Sequence, residues 1–583
     1  MKYKIAAFWL VVWGVLFAFL QITNQYHYYG LEQTQLFQST WAFWIERVGL
    51  PGGFALWLSE WLVQFFMLPY AGPALTSGLL ALAGWVTGRI VRRIAPHSEL
   101  FLLPLLPMVM LMFVHFDFNS LISGVVAFDL MLLTLWLYMS VAVFRYRLLA
   151  GLLLTPVLYW LAGPVGGLFA VSISLYEGLS RTPKGYWTLL AWGEVLLLGI
   201  GCVYFSVTGE YRFAFLPDAY YHKSLEPKNV IYFSWICLLL VLAIAAWLKR
   251  RPAQPALKRR IGLGAVQMLL LGGLLYWGLP KYSDQKSARL KELDYYVRME
   301  QWNQIIKLCQ SKLTNYLYLC YLNKALAEKG ELADRMFTFD QRGPQGLLVA
   351  WNKAEQCSTI LSEIYFTMGQ IGLAQEMAFE GYVSAMGYGN PRLLKRLVQT
   401  NLIYGAYPIA AKYLDMLENT FYYKDWAKAH RRFLNNDAAV AADPVLGPRR
   451  KMLPPESSLA LMRGYDADLM LMAETNPSYK ASIEYLGAFY LLAKDLGGLK
   501  KLIEKYYGTE VMPVLPVSFQ EALFIISEKE ADYWRRFDLP EAMQQRFYAY
   551  KQAVLSGQRN SSALPGLMNR SYGNTYWFYF MFK

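Results

Sequence analysis

Charged residues are scarce in this chain of 583 residues, at 17% of the total, whereas hydrophobic residues make up 56%. A soluble globular protein carries about 25% charged and about 45–50% apolar residues. The shortage lies in the first half: residues 1–280 contain 19 Lys and Arg and 11 Asp and Glu, while residues 281–583 contain the other 37 and 31. This asymmetry excludes a single soluble domain, a small secreted protein and a disordered chain.

Cysteine is also scarce, with five residues and no CxxC spacing, so neither a disulfide framework nor a paired-cysteine site is indicated. The sequence lacks a Walker A motif, HExxH and GxSxG, so the chemistries that these motifs mark are not signalled. The net charge of +14 comes without a helix-turn-helix, zinc-finger or RNA-binding signature. We therefore expect no nucleic-acid partner.

Apolar runs are abundant in the first half. A spanning helix needs about 20 apolar residues to cross about 30 Å of hydrocarbon. Residues 1–280 are therefore predicted to form a polytopic helical membrane domain of about nine spans. The nine runs are Ile5–Ile22, Pro73–Val91, Leu100–Phe116, Leu121–Val143, Leu148–Ala162, Val165–Leu179, Trp187–Val207, Val230–Leu248 and Ile261–Leu279. The first lacks a small-residue cleavage site, so we interpret it as a retained anchor.

The segment Phe54–Leu68 is apolar but short and carries Glu60, and we interpret it as an interfacial helix on the outer surface. With nine spans, 15 Lys and Arg fall on the inner side and four on the outer side, as the positive-inside rule requires. The N-terminus is then inside and the half from Lys281 onward is outside the cytoplasm. In a bacterium, this is an inner-membrane protein, partnered by the lipid bilayer, with a periplasmic C-terminal domain.

Residues 281–583 form the second predicted domain, and their pattern is one of paired helices separated by single glycines. Gly330, Gly369 and Gly405 are 39 and 36 residues apart, close to the 34 residues of a tetratricopeptide (TPR) unit. The predicted pairs are Leu290–Met299 with Trp302–Lys312, Tyr316–Lys329 with Glu331–Phe339, Cys357–Met368 with Leu373–Ser384, Pro391–Tyr404 with Pro408–Glu418, and Lys480–Lys494 with Leu499–Tyr507. We interpret this half as a TPR-like α-solenoid with a concave surface suited to an extended peptide; a generic helical bundle is the alternative. The fold class predicted for the chain is all-α.

Polar residues cluster at the predicted outer membrane face, where ionisable groups are costly and are functional candidates by default. They are Tyr28, Tyr29, Glu32 and Gln33 in the loop after the first span, His115, Asp117 and Asn119 in the corner HFDFNS between the third and fourth spans, and Arg212, His222 and Lys223 in the loop before the eighth span. Glu60 faces either the membrane surface or the same outer pocket. Capping or solvated positions are the alternative for Glu32 and Asp117, and an interfacial aromatic belt is the alternative for the tyrosines.

An outward first span, a long first outer loop with an acidic residue, an interfacial helix and many further spans resemble the GT-C superfamily. These integral-membrane glycosyltransferases use lipid-linked sugar donors. By motif position, the resemblance implies that Glu32 and Asp117 act on the acceptor or hold a metal. A multi-span half joined to outward-facing TPR repeats also resembles the lumenal O-mannosyltransferases with TPR tails. The whole chain looks like an uncharacterised family of bacterial membrane proteins.

The chain departs from the GT-C pattern in having Gln33 after Glu32, where a second carboxylate is usual, and a single carboxylate in HFDFNS. No metal is therefore assigned, and Glu32 and Asp117 remain the candidate ligands for Mg²⁺ or Mn²⁺. The implied donor is a sugar on a polyprenyl phosphate, and cations such as Arg212, His222 or Lys223 would bind its phosphate. The implied acceptor is a protein or glycan recruited by the repeats.

Three functions compete for this chain. The first is the transferase. The second is a non-catalytic membrane scaffold whose repeats organise an envelope or secretion complex. The third, a transporter, is disfavoured because intramembrane charges are few and no inverted repeat is evident. A transferase needs its outer-face carboxylates to converge on one cavity, whereas a scaffold does not.

Overall fold

The structure, a computed structural model, consists of helices joined by turns and loops. It describes residues 2–96, 100–249, 257–283, 285–311, 313, 315–385, 389–453, 469–470, 473–528, 530, 533–557 and 563–583. Within these residues two isolated β-bridges, and no strand, accompany the helices. The predicted all-α fold class is therefore confirmed. The chain divides into two compact units. The first comprises Met1–Ala288 and includes the short segment Asn419–Lys424, and the second begins at Arg289.

The first unit consists of apolar helices. They are α1 (Lys2–Thr34), α2 (Trp41–Val48), α3 (Gly53–Val63), α4 (Ala71–Ile94), α5 (Leu105–His115), α6 (Ile122–Tyr138), α7 (Phe144–Ala162), α8 (Val165–Leu179), α9 (Leu190–Tyr204), α10 (Tyr211–Phe215), α11 (Val230–Lys249) and α12 (Leu257–Tyr282). Among the residues that the structure describes, five helical segments are long and apolar enough to cross a membrane, fewer than the nine spans predicted. These are Ile5–Thr34, Ala71–Ile94, Gly185–Tyr204, Val230–Leu248 and Ile261–Tyr282.

Large apolar side chains cover the outside of several of these helices. Leu10 on α1, Leu197 on α9 and Leu269 on α12 are 67%, 75% and 75% exposed. Soluble monomers rarely expose extensive apolar surface, so helices of this length and surface are those of a membrane protein. The predicted association with a lipid bilayer agrees with this surface.

All nine predicted spans coincide with helices, but several are shorter than predicted. The third, predicted over Leu100–Phe116, contains only the 11-residue helix α5, which rises about 16 Å at 1.5 Å per residue. Pro104 stands at the N-cap of α5, and a proline disfavours helical geometry in the residue before it. Ten of the eleven α5 residues are buried, so this helix is a central element packed against α4, α11 and α12.

The prediction of a polar loop after the first span is wrong. Helix α1 continues without a break to Thr34, so Tyr28, Tyr29, Glu32 and Gln33 lie on its last turns. This stretch contains no proline, and its single glycine, Gly30, costs a helix only about 1 kcal/mol. The change from apolar to polar residues therefore marks a change of environment along one helix.

A buried ion pair ties α7 to α8. The Arg147 guanidinium donates to both carboxylate oxygens of Glu177, at 2.6 and 2.9 Å, and to the carbonyl oxygens of Val141 and Ala142. The Tyr138 hydroxyl at the end of α6 also donates to Glu177, at 2.9 Å. Glu177 is fully buried, and its charge is matched by a cation and a hydroxyl, as a buried carboxylate requires.

The second unit consists mainly of short paired helices. They are α13 (Gln285–Arg298), α14 (Trp302–Leu308), α15 (Tyr316–Glu328), α16 (Leu332–Arg335), α17 (Glu355–Met368), α18 (Ile371–Ser384), α19 (Pro391–Tyr404), α20 (Tyr407–Glu418), α21 (Lys424–His430), α22 (Asp437–Ala442), α23 (Leu446–Lys451), α24 (Lys480–Ala493), α25 (Leu496–Tyr506), α26 (Val517–Ile526), α27 (Glu541–Gly557), α28 (Leu564–Tyr572) and α29 (Tyr576–Phe582). Most predicted helices of this half agree with these bounds to within three residues.

The predicted turn glycines follow three of these helices. Gly330, Gly369 and Gly405 have φ of +66°, +84° and +75°, the left-handed geometry that ends many helices. The helix predicted over Glu331–Phe339 is shorter, because α16 gives way after four residues to a 3₁₀ turn. The helix predicted to reach Lys312 ends at Leu308, and Lys312 lies outside the described residues.

Candidate functional site

The polar end of α1 packs against the end of α5 through Tyr28 and His115. Their rings are stacked, with centroids 5.4 Å apart, and a hydrogen bond of 3.2 Å joins the Tyr28 hydroxyl to His115 Nε2. Gly72 on α4 makes room for the phenol, because a Cβ at that position would lie 2.4 Å from the Tyr28 ring. Both residues are almost fully buried. The structure thus brings together two predicted site residues that are 87 positions apart.

His27 joins the same cluster, although it was not among the predicted site residues. Its ring meets that of His115 edge-on, with centroids 4.9 Å apart, and it also contacts Phe118. Two imidazole rings therefore lie side by side in this buried region. In the sequence, the position of His27 next to Tyr28 could have indicated that it belongs to the site. The ring of Tyr29 lies 6.5 Å from that of Tyr26.

Asp117 occupies the corner between α5 and α6 and is only 6% exposed. Its Oδ1 accepts a hydrogen bond from the backbone N–H of Asn119 at 3.1 Å. Its Oδ2 accepts one from the Tyr221 hydroxyl at 3.0 Å and lies 3.1 Å from the Lys228 ammonium. An ammonium and two hydrogen-bond donors thus surround this carboxylate.

The corner and the loop before α11 adjoin through their backbones. Leu121 N–H donates to the Tyr220 carbonyl at 2.9 Å, and His222 N–H donates to the Asn119 carbonyl at 3.0 Å. The predicted residues Asn119 and His222 are therefore neighbours of Asp117. Burial lowers the pKa of His222, which favours its neutral form. Burial, and next the charge of Asp117, raise the pKa of Tyr221, so this phenol remains a donor.

Three cations occur in the same loop, and they differ in their partners. Arg212 pairs with Glu210 at 2.7 Å and also reaches the Lys223 carbonyl at 3.5 Å. Lys228 was missed by the sequence prediction, although it alone of the three reaches Asp117 in the described contacts. Lys228 lies five residues after Lys223, at the end of the segment KSLEPK. Nothing in this spacing distinguished Lys228 from Lys223 as a candidate site residue.

Glu32 and Gln33 contact a residue that the sequence offered no means of finding. The Tyr423 hydroxyl donates to Glu32 Oε2 at 2.9 Å and accepts from Gln33 Nε2 at 2.9 Å. Tyr423 belongs to the segment Asn419–Lys424 of the first unit, and the same segment accepts a 2.8 Å bond from Ser39 N–H at the Asn419 carbonyl. Both Glu32 and Tyr423 are buried, so the phenol covers this carboxylate.

Glu60 is held by Arg47 rather than placed beside Asp117. The guanidinium donates to both carboxylate oxygens, at 3.0 and 3.1 Å, and joins α2 to α3. Burial raises the pKa of Glu60 to about 7 against the opposing charge of Arg47. This geometry gives Glu60 a role in fixing the two helices to each other.

The predicted metal ligands do not fit a metal. In the part of the chain that the structure describes, no three His, Cys, Asp or Glu side chains are grouped so that they could hold an ion. The oxygens of Asp117 already accept from an N–H, a hydroxyl and an ammonium. Lys228 thus supplies the positive charge that a cation would supply there.

The whole chain, residues 1–583, matches one sequence family, and it belongs to that family, which is described as a family of unknown function (DUF6057). No curated protein and no solved structure matches the chain. The resemblances to GT-C enzymes and to TPR proteins therefore gain no support from relatives.

Proposed function

We propose that this protein is an integral-membrane transferase of the GT-C type, which moves a sugar from a polyprenyl-linked donor to an acceptor outside the cytoplasm. The observation that supports it is Asp117, a carboxylate at the end of buried apolar helices, with Lys228, Arg212 and Lys223 on the adjoining loop. A carboxylate and several cations at one membrane level suit a reaction that deprotonates a hydroxyl and releases a phosphate.

In this proposal Asp117 is the general base. It accepts the proton of the acceptor hydroxyl, whose oxygen bonds to the anomeric carbon of the sugar. The bond from that carbon to the donor phosphate breaks, and the polyprenyl phosphate leaves with the bonding electron pair. Lys228 and Arg212 stabilise the phosphate charge. Glu32 has the lesser role of positioning the acceptor, because Tyr423 already bonds to its carboxylate.

The proposal includes the topology that the sequence predicts. The five long apolar helices and the shorter helices between them make up nine spans. The N-terminus is cytoplasmic, and the second unit is a periplasmic TPR-like solenoid that recruits the protein or glycan acceptor. Such an arrangement would belong to a bacterial inner membrane.

The test is Asp117→Asn, which keeps the hydrogen-bonding shape but removes the charge. The matched control is Asp218→Asn, since Asp218 is equally buried in the adjoining loop and accepts a 2.8 Å bond from the Tyr232 hydroxyl. Each variant replaces the wild type in a strain that lacks the protein, and the envelope glycans are compared by mass spectrometry. We expect Asp117→Asn to lower the rate of sugar transfer at least 100-fold, the usual contribution of a positioned base. The amount of protein in the membrane should not change. Wild-type glycans with Asp117→Asn would exclude this mechanism.

A non-catalytic scaffold is the second candidate, and one observation favours it. Both predicted catalytic carboxylates are bonded within the protein, Glu32 to Tyr423 and Asp117 to Tyr221 and Lys228. Residues that serve the fold can be bonded in this way without any substrate. If Glu32→Gln and Asp117→Asn both retain full function, the scaffold is the better account.

A further inference from the structure

The second unit contains a cleft of about 520 Å³. Three parts of the chain line it: residues 340–343, the end of α24 with Lys494, and the end of α29 with Tyr579 and Phe582. Clefts of about 300–1,000 Å³ are the usual size of small-molecule sites. A disaccharide or a comparably small ligand fits a cleft of this size.

The charges around the cleft are mainly positive. Arg342, Lys494 and Lys583 line it together with one carboxylate, Asp340. Asp340 is paired with Lys583 and, at 3.2 Å, with Arg342. Lys494 forms no ion pair with any carboxylate that the structure describes, and its ammonium lies 5.7 Å from the Tyr579 ring centroid. The surplus positive charge favours an anionic ligand.

The walls of the cleft are fixed by bonds within the protein. The Gln341 amide, which is buried, donates to the Asn323 side chain at 2.9 Å and to the Met336 carbonyl at 3.0 Å. On the opposite side, the Tyr579 hydroxyl donates to the Leu492 carbonyl at 2.8 Å. A site whose walls are already ordered loses less entropy when a ligand binds.

Lys494 stands in a backbone conformation that suits glycine. Its φ is +57°, at the cap of α24, whereas the corresponding caps of α17 and α19 are Gly369 and Gly405. A side chain in the left-handed region is disfavoured, and such positions occur often at functional sites. Here the disfavoured residue is the one that brings an unpaired ammonium to the cleft.

We propose that this cleft binds an acidic saccharide. The ligand's carboxylate would pair with Lys494, and the C–H face of its sugar ring would pack on Phe582, which is half-buried at the cleft. An acidic peptide is the alternative occupant, and the binding experiment distinguishes the two. The cleft shares no residue with the proposed transfer site, and its test measures binding and not sugar transfer.

The experiment measures binding of digalacturonate and of the neutral digalactose to the full-length protein in detergent, by isothermal titration calorimetry. Digalacturonate should bind at least tenfold more tightly, and the preference should weaken as salt is added. Lys494→Met should weaken its binding at least tenfold. Lys505→Met is the matched control, because Lys505 also lies over a tyrosine ring, that of Tyr506 at 5.2 Å, but outside the cleft.

Lys494→Gly separates binding from folding. It should lose digalacturonate binding while its unfolding midpoint stays at or above that of the wild type, because glycine suits the left-handed cap. Equal affinity for the two disaccharides, no binding of either, or tighter binding of an Asp-rich tetrapeptide would each overturn the proposal. So would an equal loss of binding in Lys505→Met.

Discussion

At the scale of single residues, three buried carboxylates of the first unit each have a close cationic partner. Two of them form bidentate ion pairs, Glu177 with Arg147 and Glu60 with Arg47. The third, Asp117, pairs with Lys228. Removing one partner leaves the other charge buried without compensation. The pair between Arg147 and Glu177 is the more enclosed, because Glu177 has no exposed surface.

We expect Glu177→Gln to lower the stability of the protein by about 3–5 kcal/mol, the usual cost of breaking a buried ion pair by removing one partner. The measurement is the thermal unfolding midpoint in detergent. Glu194→Gln on α9 is the control, since Glu194 has no ion pair with a cation among the described residues. Equal midpoints for the two variants would show that the pair contributes nothing to the fold.

Which site residues could be predicted depended on how far apart they lie in the chain. His115, Asp117 and Asn119 share one short corner, and the ends of spans meet at a common membrane level, so a cluster there could be expected from sequence. Lys228 could not be singled out, because several cations of that loop lie within reach. Tyr423 could not be found at all, since 391 positions separate it from Glu32.

At the scale of helices, α17 and α19 are joined by a charged network. Glu363 on α17 accepts from Arg392 at 2.9 Å and from Arg396 at 2.7 Å, and Arg392 also reaches Asp294 on α13. Burial alone would raise the pKa of Glu363, but the charges of Arg396 and Arg392 outweigh it and hold the pKa well below its usual range.

This lowered pKa predicts acid sensitivity. Because the folded pKa lies below the unfolded value of about 4.3, the pair stabilises the fold above that pH, and the contribution is lost as pH falls through the folded pKa. Each unit of pKa difference is worth about 1.4 kcal/mol. We expect the wild type to lose more stability than Glu363→Gln between pH 6 and pH 3, measured by urea unfolding.

Glu510→Gln is the control for this pH series, because Glu510 is exposed. Its stability should fall with pH in parallel with the wild type. If Glu363→Gln also falls in parallel with the wild type, the network does not set the acid response.

Helix boundaries were predictable where a glycine or proline marks them, and less so elsewhere. Gly369 and Gly405 end α17 and α19 at the predicted residue. In α1 no glycine or proline stands next to Ile22, and the helix runs twelve residues further, through Gly30. The polarity of its residues indicates the surroundings of a helix, whereas the position of its end depends on residues, such as glycine, that can cap it.

At the scale of the whole molecule, the basic residues of the first unit predict its orientation. With nine spans, the side predicted to be inside carries 15 Lys and Arg and the other side four. In that predicted arrangement the ninth span would run outward, and the second unit would lie outside the cytoplasm.

An alkaline phosphatase fused after Lys583 should therefore be active, because this enzyme folds only after export. A fluorescent protein that folds only in the cytoplasm, fused at the same place, should be dark. The matched pair of fusions after Arg181, in the segment between α8 and α9, should give the opposite results. Cytoplasmic activity after Lys583 would contradict the nine-span arrangement and the placing of the proposed site.

The contact of Tyr423 with Glu32 has a consequence for biogenesis. Chains are made from the N-terminus at about 5–20 residues per second, so roughly 20 to 80 seconds pass between the synthesis of Glu32 and that of Tyr423. During that interval the end of α1 is without its last partner, although α1 itself has left the ribosome. The first unit is thus the first part of the chain to be made, yet it is not finished until residue 424 has been added, and a ribosome that stalls before residue 419 leaves it incomplete.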